Sequence, residues 1–262
     1  MSKPSHPSAP LRLLSNYLHN LAESGTSNVV ITDKALEKLR GLSGIATGQI
    51  AHRKDKATAL DAIREQVKNS TKFRSMTTLG DTMVFATGTP DSRIMFIGEA
   101  PGEEEEKQRQ PFVGPAGKLL TKIIETMGMS RQDVYISNIV KFRPRIDGVN
   151  QGSQNRKPSN DEIDASLPFI RDEIKIVNPE LIVALGGSAM IGLLGIESSV
   201  SSARGRLHQV GDHQVMVTYH PSFLLRSGSN TDKRKLWEDM LMAMDYLKMP
   251  ISEKQKNYFR PQ

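Results

Sequence analysis

The stretch RIMFIGEAPG, residues 93–102, joins a short apolar run to a turn that contains two glycines, a proline and a carboxylate. The same arrangement recurs along the chain, each time as an apolar run followed by polar residues or glycine. The runs Val134–Ser137, Leu181–Leu185 and Val215–Tyr219 precede Asn138, Gly186-Gly187 and His220-Pro221-Ser222. Helix-like segments lie between them, and alternating strands and helices are typical of a parallel sheet. We therefore predict an α/β fold.

Three side chains that follow these predicted strands are candidates for a common site, because ligands bind beside the carboxyl ends of parallel strands. Glu99 can orient or deprotonate a water molecule. Asn138 can read a base edge, since its amide both donates and accepts. His220 can donate to an oxygen that gains negative charge. Each also has a purely structural interpretation: a solvated turn carboxylate, a turn-forming asparagine and the start of a helix.

An aromatic residue and the segment after His220 are candidates for contacts with nucleic acid. Phe112 can stack on a nucleobase beside the crevice, although a ring that anchors its loop is the alternative. Ser222 can bind a phosphate. Leu224, Leu225 and Arg226 combine an apolar pair with a cation, which fits a wedge that enters the base stack while the arginine holds the backbone. A helix start with core leucines is the alternative.

The composition excludes several classes of protein. The 262 residues, 37% of them hydrophobic, suffice for one α/β domain with additional segments, and the net charge of +6 suits an anionic partner such as nucleic acid. The absence of cysteine excludes disulfides, zinc–thiolate sites, ordinary iron–sulfur clusters and cysteine nucleophiles. The sequence contains no dinucleotide-binding fingerprint, P-loop or Gly-x-Ser-x-Gly nucleophile elbow.

The chain is expected to divide into three parts. Residues 1–56 are predicted to be an N-terminal extension, partly disordered with short helices, residues 57–248 the α/β domain, and residues 249–262 a polar C-terminal tail. Within the domain, the acidic run Glu103–Glu106 is interpreted as a solvated helix start. The N-terminus lacks a signal-peptide core and no apolar stretch is long enough to span a membrane, so a cytoplasmic location is the default expectation.

The motifs together resemble the uracil-DNA glycosylase superfamily, most closely its family 4. The resemblance covers residues 57–248 and rests on ordered stretches at compatible spacings: Gly98–Gly102 (GEAPG), Pro111–Gly117 (PFVGPAG), Tyr135–Pro144 (YISNIVKFRP), Leu167–Ile170 (LPFI), Pro179–Gly187 (PELIVALGG), Arg204–His208 (RGRLH) and Thr218–Arg226 (TYHPSFLLR). It implies a three-layer α/β/α sandwich with a central four-stranded parallel sheet. It also implies an enzyme that flips uracil out of DNA and hydrolyses its N-glycosidic bond, without cutting the strand.

The resemblance implies a role for each candidate residue. Glu99 would position or activate the attacking water, and His220 would stabilise the departing uracil anion at its O2. Phe112 would stack on the flipped base, Asn138 would read it, and Gly98 belongs to the same uracil-binding set. The implied partner is uracil-containing DNA. We expect no membrane partner and no metal site, and we expect the protein to be a monomer.

The chain departs from family 4 at the positions of its four usual cysteines, which bind a [4Fe–4S] cluster. Ser70, Phe73, Phe142 and Ser166 occupy those positions. Because thiolates hold such a cluster, we predict that this cofactor is absent. We expect Phe73 and Phe142 to pack together in its place, with Ser70 and Ser166 bonded to nearby backbone. The loop over residues 145–158 also lacks the Lys-Arg-Arg-Ile-His motif of the related group that binds uracil-DNA covalently.

Two alternatives stay open at the level of sequence. One is a non-catalytic DNA-binding or polymerase-associated module that keeps the fold. The other is a glycosylase with a shifted lesion preference, such as hypoxanthine or mismatched thymine. Glu99, Phe112, Asn138 and His220 are all intact, and a decayed site would be expected to have lost at least one of them. This observation favours the enzyme.

Overall fold

Strands buried on both faces form the middle of a sheet in the computed structural model, which describes residues 53, 55–146 and 151–259. Two of them, with the sequences IMFIG and LIVAL, are buried at every position. Nearly continuous apolar sequence is expected of parallel strands that helices cover on both sides. The predicted N-terminal extension, residues 1–56, lies almost entirely outside the described residues. The described residues from Lys56 onward belong to one compact unit.

Helices and strands alternate along the described chain. In order they are α1 (residues 55–69), α2 (Thr71–Ser75), β1 (Leu79–Met83), β2 (Ala86–Gly88), β3 (Ile94–Gly98), α3 (Glu103–Gln108), α4 (Pro115–Thr126), β4 (Tyr135–Asn138), β5 (Phe142–Pro144), α5 (Asn160–Val177), β6 (Leu181–Leu185), α6 (Gly187–Leu194), α7 (Val200–Ala203), β7 (Leu207–Val210), β8 (His213–Thr218), α8 (Pro221–Ser227), α9 (Asn230–Tyr246) and α10 (Glu253–Asn257).

The sheet has the strand order β2-β4-β3-β6-β8-β7, and its four central strands are parallel. The register pairs Gly98 with Asn138 at the ends of β3 and β4, and Leu185 with Thr218 at the ends of β6 and β8. Residues that directly follow these strands therefore meet at one edge of the sheet.

The predicted α/β class and the parallel centre are confirmed, but the sheet is larger than the predicted four strands. Antiparallel strands β2 and β7 extend it at both edges, and β1 pairs with β5 in a separate two-stranded sheet. The edge strands have only three and four residues and are half-exposed. Their sequences therefore lack the continuous apolar run that identified the central strands.

Helices cover both faces of the sheet, which gives the expected three layers. Side chains alternate between the two faces of a strand. Met95 and Ile97 of β3 accordingly join a core with α1, α5 and α6, whereas Ile94 and Phe96 join a second core with α4 and α9. No helix in the described part of the chain is both long enough and apolar enough to cross a membrane.

The segment after α9 is folded against the domain. Trp237 donates its indole N–H to the carbonyl oxygen of Gln255 at 2.6 Å, and the side chain of Gln255 donates to the carbonyl oxygen of Thr126 at 2.7 Å. The ring of Tyr258 packs edge-on against Trp237. Residues 249–262 are interpreted from sequence as a polar tail. Of its described part, Met249, Ile251 and Tyr258 pack against the core that α4 and α9 form.

Candidate active site

A cavity of about 630 Å³ lies at the carboxyl ends of the parallel strands. Glu99, Phe112, Asn138 and His220, which are far apart in sequence, all line it. Its walls come from the segments that follow β3, β4, β6 and β8, together with residues 155–157 and 199–201. The structure thus brings together the residues that the sequence analysis selected.

Glu99 is held at the mouth of β3 by its main chain and its side chain. Its carbonyl oxygen accepts from the N–H of Val140 at 3.0 Å, and its carboxylate accepts from the hydroxyl of Ser188 at 2.5 Å. Burial raises the pKa of the Glu99 carboxyl, while the Ser188 hydrogen bond and the charges of Lys157 and Arg226 oppose that rise. The site therefore contains a partly desolvated carboxylate in a fixed position.

Asn138 combines burial with an unused hydrogen-bonding atom. Its side chain is only 2% exposed, and its Oδ1 has no hydrogen-bond partner among the described residues. A Cβ at position 98 would lie 2.5 Å from that oxygen and 2.4 Å from Cζ of Phe112, so a larger residue there would displace one of these two side chains. An unsatisfied buried acceptor destabilises the fold and calls for a functional explanation. Because Asn138 lines the cavity, a ligand donor is the natural partner.

A buried ion pair fixes the end of the strand that carries Asn138. Lys141, 1% exposed at its side chain, lies 2.5 Å from a carboxylate oxygen of Glu173, which is fully buried. The same ammonium donates to the main-chain oxygen of Asn138 at 2.9 Å and to the hydroxyl of Ser137 at 2.5 Å. Tyr135 and Ser137 donate to the other oxygen of Glu173. Sequence analysis missed this network, because Glu173 lies on α5, far from β4 in sequence.

Phe112 lies on a loop that a glutamate holds in place. Its backbone adopts the left-handed region, with φ of 55°, and its ring is 5% exposed and lies 5.6 Å from the ring of His220. One carboxylate oxygen of Glu105 accepts from the N–H groups of Val113 and Gly114 at 2.9 and 2.8 Å. The interpretation of residues 103–106 as a merely solvated helix start therefore needs correction at Glu105, which organises the Phe112 loop.

A backbone hydrogen bond defines the tautomer of His220, and burial defines its charge. The N–H of Ser222 donates to Nδ1 of His220 at 3.1 Å, which makes Nδ1 an acceptor and assigns the ring proton to Nε2. Burial, assisted by the positive charge of Arg226, lowers the pKa of His220 to about 4. Near neutral pH the imidazole is therefore an uncharged N–H donor at the cavity.

The remaining residues assigned to DNA contacts separate into two groups. Leu225 is 51% exposed, Arg226 is also exposed, and Ser222 lines the cavity with its hydroxyl 2.8 Å from Nδ1 of His220. Leu224, by contrast, is 3% exposed and packs in the core, so its assignment to a DNA wedge is wrong. Positions three apart on a helix share a face, and Leu224 therefore points the same way as buried Pro221.

Of the four positions that the sequence analysis matched to the family 4 cysteines, two carry aromatic side chains and two carry serines. The rings of Phe73 and Phe142 lie 5.3 Å apart, and Phe169 lies 5.6 Å from Phe73, so the predicted contact of the first two rings is confirmed. We call these three residues the aromatic cluster. Ser166 donates to the carbonyl oxygen of Glu162 at 2.8 Å as expected, whereas the side chain of Ser70 makes no bond to cap α2.

These residues do not fit an iron–sulfur cluster. The chain has no thiolate to hold iron, and the packed rings of Phe73 and Phe142 occupy two of the four matched positions. Within the described ranges, no group of three or more His, Cys, Asp or Glu side chains is arranged to bind a metal ion.

Next to the aromatic cluster, Arg143 connects β5 to the wall of the cavity. Its guanidinium donates to the carbonyl oxygens of Gly152 and Gln154 at 2.5 and 2.9 Å and to Oδ1 of Asn155 at 3.2 Å. Asn155 lines the cavity, as do the two residues that follow it. Arg143 thus holds the loop that carries Lys157, whose charge acts on Glu99.

Comparisons with known proteins relate this chain to one family. The family model described as the uracil DNA glycosylase superfamily matches residues 85–241, a range that contains all four cavity residues named first. The chain is 42% identical over 168 residues to the type-4 uracil-DNA glycosylase of Thermotoga maritima, covering 63% of this chain and 83% of that protein. It is 37% identical over 195 residues to the type-4 enzyme of Sulfurisphaera tokodaii, covering 69% and 81%. The type-4 enzyme of Saccharolobus solfataricus is 36% identical over 189 residues, covering 69% and 82%.

Proposed function

The chain belongs to the uracil-DNA glycosylase superfamily, and from that premise we propose that it excises uracil from DNA by hydrolysing the N-glycosidic bond, leaving an abasic site. The observation that carries this proposal is the unpartnered, buried Oδ1 of Asn138 on a cavity that Glu99 and His220 also line. A free acceptor, a carboxylate and a neutral N–H donor are the groups that this reaction needs.

Asn138 is proposed to select the base. Uracil presents an N3–H donor next to the O4 acceptor, so the amide can accept from N3–H through Oδ1 and donate to O4 through Nδ2. Cytosine presents an unprotonated N3 next to an amino group, and the same amide orientation would oppose acceptor to acceptor and donor to donor. Phe112, beside the ring of His220, can stack on the base once it has left the helix.

His220 and Glu99 are proposed to stabilise the two charges that develop as the bond breaks. Uracil leaves as an anion, and the Nε2–H of His220 can donate a hydrogen bond to its O2. The pKa of about 4 keeps the imidazole neutral, and a neutral imidazole is too weak an acid to transfer its N–H proton to the anion. The sugar becomes oxocarbenium-like. The fixed carboxylate of Glu99 can stabilise it and orient the attacking water.

Contacts to the DNA backbone are proposed for the rim of the cavity. Arg226 and Ser222 are suited to phosphate binding, and exposed Leu225 is the apolar member of this surface. We further propose that the protein is a cytoplasmic monomer and that it works without an iron–sulfur cofactor. The packing of the aromatic cluster supports the absence of the cofactor. Sedimentation and iron analysis of the purified protein test the oligomeric state and the cofactor.

One gel assay tests the activity. Single- and double-stranded oligonucleotides with one uracil are incubated with the protein and then treated with alkali, which cuts abasic sites. We expect cleavage only after alkali and only in uracil-containing strands. Uracil left intact in every context, despite binding to the DNA, would refute the enzymatic function.

A further inference from the structure

Phe223 is an exposed aromatic residue at the rim of the cavity that none of the roles above uses. It lies on α8 between Ser222 and Leu224, is 37% exposed, and lines the same cavity as Glu99 and Asn138. Large apolar side chains are normally turned inward, and here Leu224 takes that place. Exposure alone does not set Phe223 apart, because Met242 on α9 is equally exposed. Its place on the wall of the cavity does.

The ring of Phe223 rests on Tyr219, and together we call them the aromatic platform. The two ring centroids lie 4.9 Å apart with a tilt of 31° between the planes. Tyr219 is only 6% exposed, and its hydroxyl lies 2.8 Å from that of Ser201. The guanidinium of Arg204 lies 5.7 Å from the centre of the Tyr219 ring. The Ser201 contact therefore restrains the hydroxyl end of Tyr219, and Arg204 restrains the face of its ring.

The support beneath the platform is itself fixed by a buried carboxylate. Asp239, fully buried, accepts from Arg204 through both oxygens at 3.0 and 2.9 Å. It also accepts from the hydroxyl of Thr218 at 2.6 Å and from the N–H of Gly205 at 3.2 Å. Thr218 is the last residue of β8, so the platform is tied directly to the strand that leads into His220. An aromatic surface held this firmly loses little conformational freedom when a ligand stacks on it.

We propose that the aromatic platform is a subsite for a second nucleobase, namely the base next to the uracil in the same DNA strand. This inference rests on the proposed function. Three observations favour that occupant. The platform continues the cavity that would hold the flipped uracil, the exposed cation Arg226 lies three residues from Phe223, and one exposed ring is far too small for a protein interface. Every base has a flat face, so such a subsite accepts any neighbour.

The test compares Phe223→Ala with the wild type on substrates that lack one neighbouring base. Three oligonucleotides carry uracil with both neighbours present, with an abasic spacer on the 5′ side, or with a spacer on the 3′ side. Single-turnover rates are measured, together with the dissociation constant for the same strands containing 2′-fluorinated deoxyuridine, whose glycosidic bond resists cleavage. The binding arm gives a result even if the protein excises nothing, so failure of the subsite and of the enzymatic function are distinguishable.

We expect Phe223→Ala to weaken binding of the complete strand by roughly 5- to 150-fold, the loss of one base stack. One of the two spacers should weaken binding to the wild type by a similar factor and leave the variant unchanged. Phe223→Trp should keep the wild-type pattern. Met242→Ala, which alters an equally exposed side chain on α9, should change nothing.

Other outcomes would overturn the proposal. If Phe223→Ala has no effect on binding, no base rests on the ring. If it weakens binding equally for all three strands, the ring acts on something other than a neighbouring base. A loss confined to duplex DNA, and erased by neither spacer, would identify Phe223 as a wedge in the space that the uracil leaves.

Discussion

In the cavity the buried Oδ1 of Asn138 has no partner and burial raises the pKa of Glu99, whereas in the aromatic cluster Phe73, Phe142 and Phe169 pack ring against ring. The cavity thus holds polar groups in states that reduce the stability of the fold, and the cluster holds apolar groups in states that increase it. The difference indicates a division between residues kept for chemistry and residues kept for stability. Substitutions in the two regions should accordingly have opposite effects.

The largest effect is expected from Phe142→Ala in the aromatic cluster. Removing a buried ring leaves a cavity, and we expect the free energy of unfolding to fall by about 3–5 kcal/mol. Denaturant unfolding measures the loss, and Phe259→Ala, at an exposed ring, is the matched control. The molecules that remain folded at low temperature should retain most of their excision rate. A stable but inactive Phe142→Ala variant would contradict the division between residues kept for chemistry and residues kept for stability.

Asn138→Ala and His220→Ala should show the reverse pattern. Each removes one preorganised contact to the leaving base, and we expect the excision rate to fall by about 10²–10³. Thermal unfolding of Asn138→Ala should occur at the same or a higher temperature, since the variant removes an unsatisfied acceptor. His213→Gln, at the opposite end of β8, is the control and should keep its activity. Unchanged rates in the two cavity variants would show that the site lies elsewhere.

Phe112→Ala should have a smaller effect. This ring is buried like those of the aromatic cluster, yet it lies in the cavity. If stacking on the base is its role, the variant should lose about 1–3 kcal/mol of substrate binding, mostly as a higher KM. Kinetics on uracil-containing single strands provide the measurement. A loss of stability as large as that of Phe142→Ala, with KM unchanged, would place Phe112 with the structural rings instead.

The smallest effect is expected from pH acting on Glu99. Its pKa is raised in the folded state, so the stability linked to this carboxyl is present below the unfolded-state pKa and is lost as pH rises through the folded-state value. Glu99→Gln should therefore be more stable than the wild type at neutral pH, and the difference should vanish in acid. Wild-type activity should fall as pH drops through the same raised pKa. A variant less stable than the wild type at neutral pH would contradict this account.

Much of the fold could be predicted because buried parallel strands have nearly continuous apolar sequences. The ends of β3, β4 and β8 identified Glu99, Asn138 and His220, since a residue after a strand end has a defined place in the sheet. The edge strands β2 and β7 were not part of the predicted four-stranded sheet, because short half-exposed strands carry no such pattern.

The supporting residues could not be found from sequence, because each acts on a residue far away along the chain. Ser188 bonds to Glu99 across 89 positions, and Glu173 bonds to Ser137 across 36. Leu224 is a different case. Helical periodicity from Pro221 onward already predicts that Leu224 faces the core and that Phe223 and Leu225 face outward.

Three consecutive residues, Lys141, Phe142 and Arg143, enter three separate environments: the ion pair with Glu173, the aromatic cluster, and the loop that contains Asn155. Insertion or deletion of a single residue here would move an ammonium among the rings and a ring against the buried carboxylate. Over evolutionary time this segment should therefore accept substitutions while keeping its length.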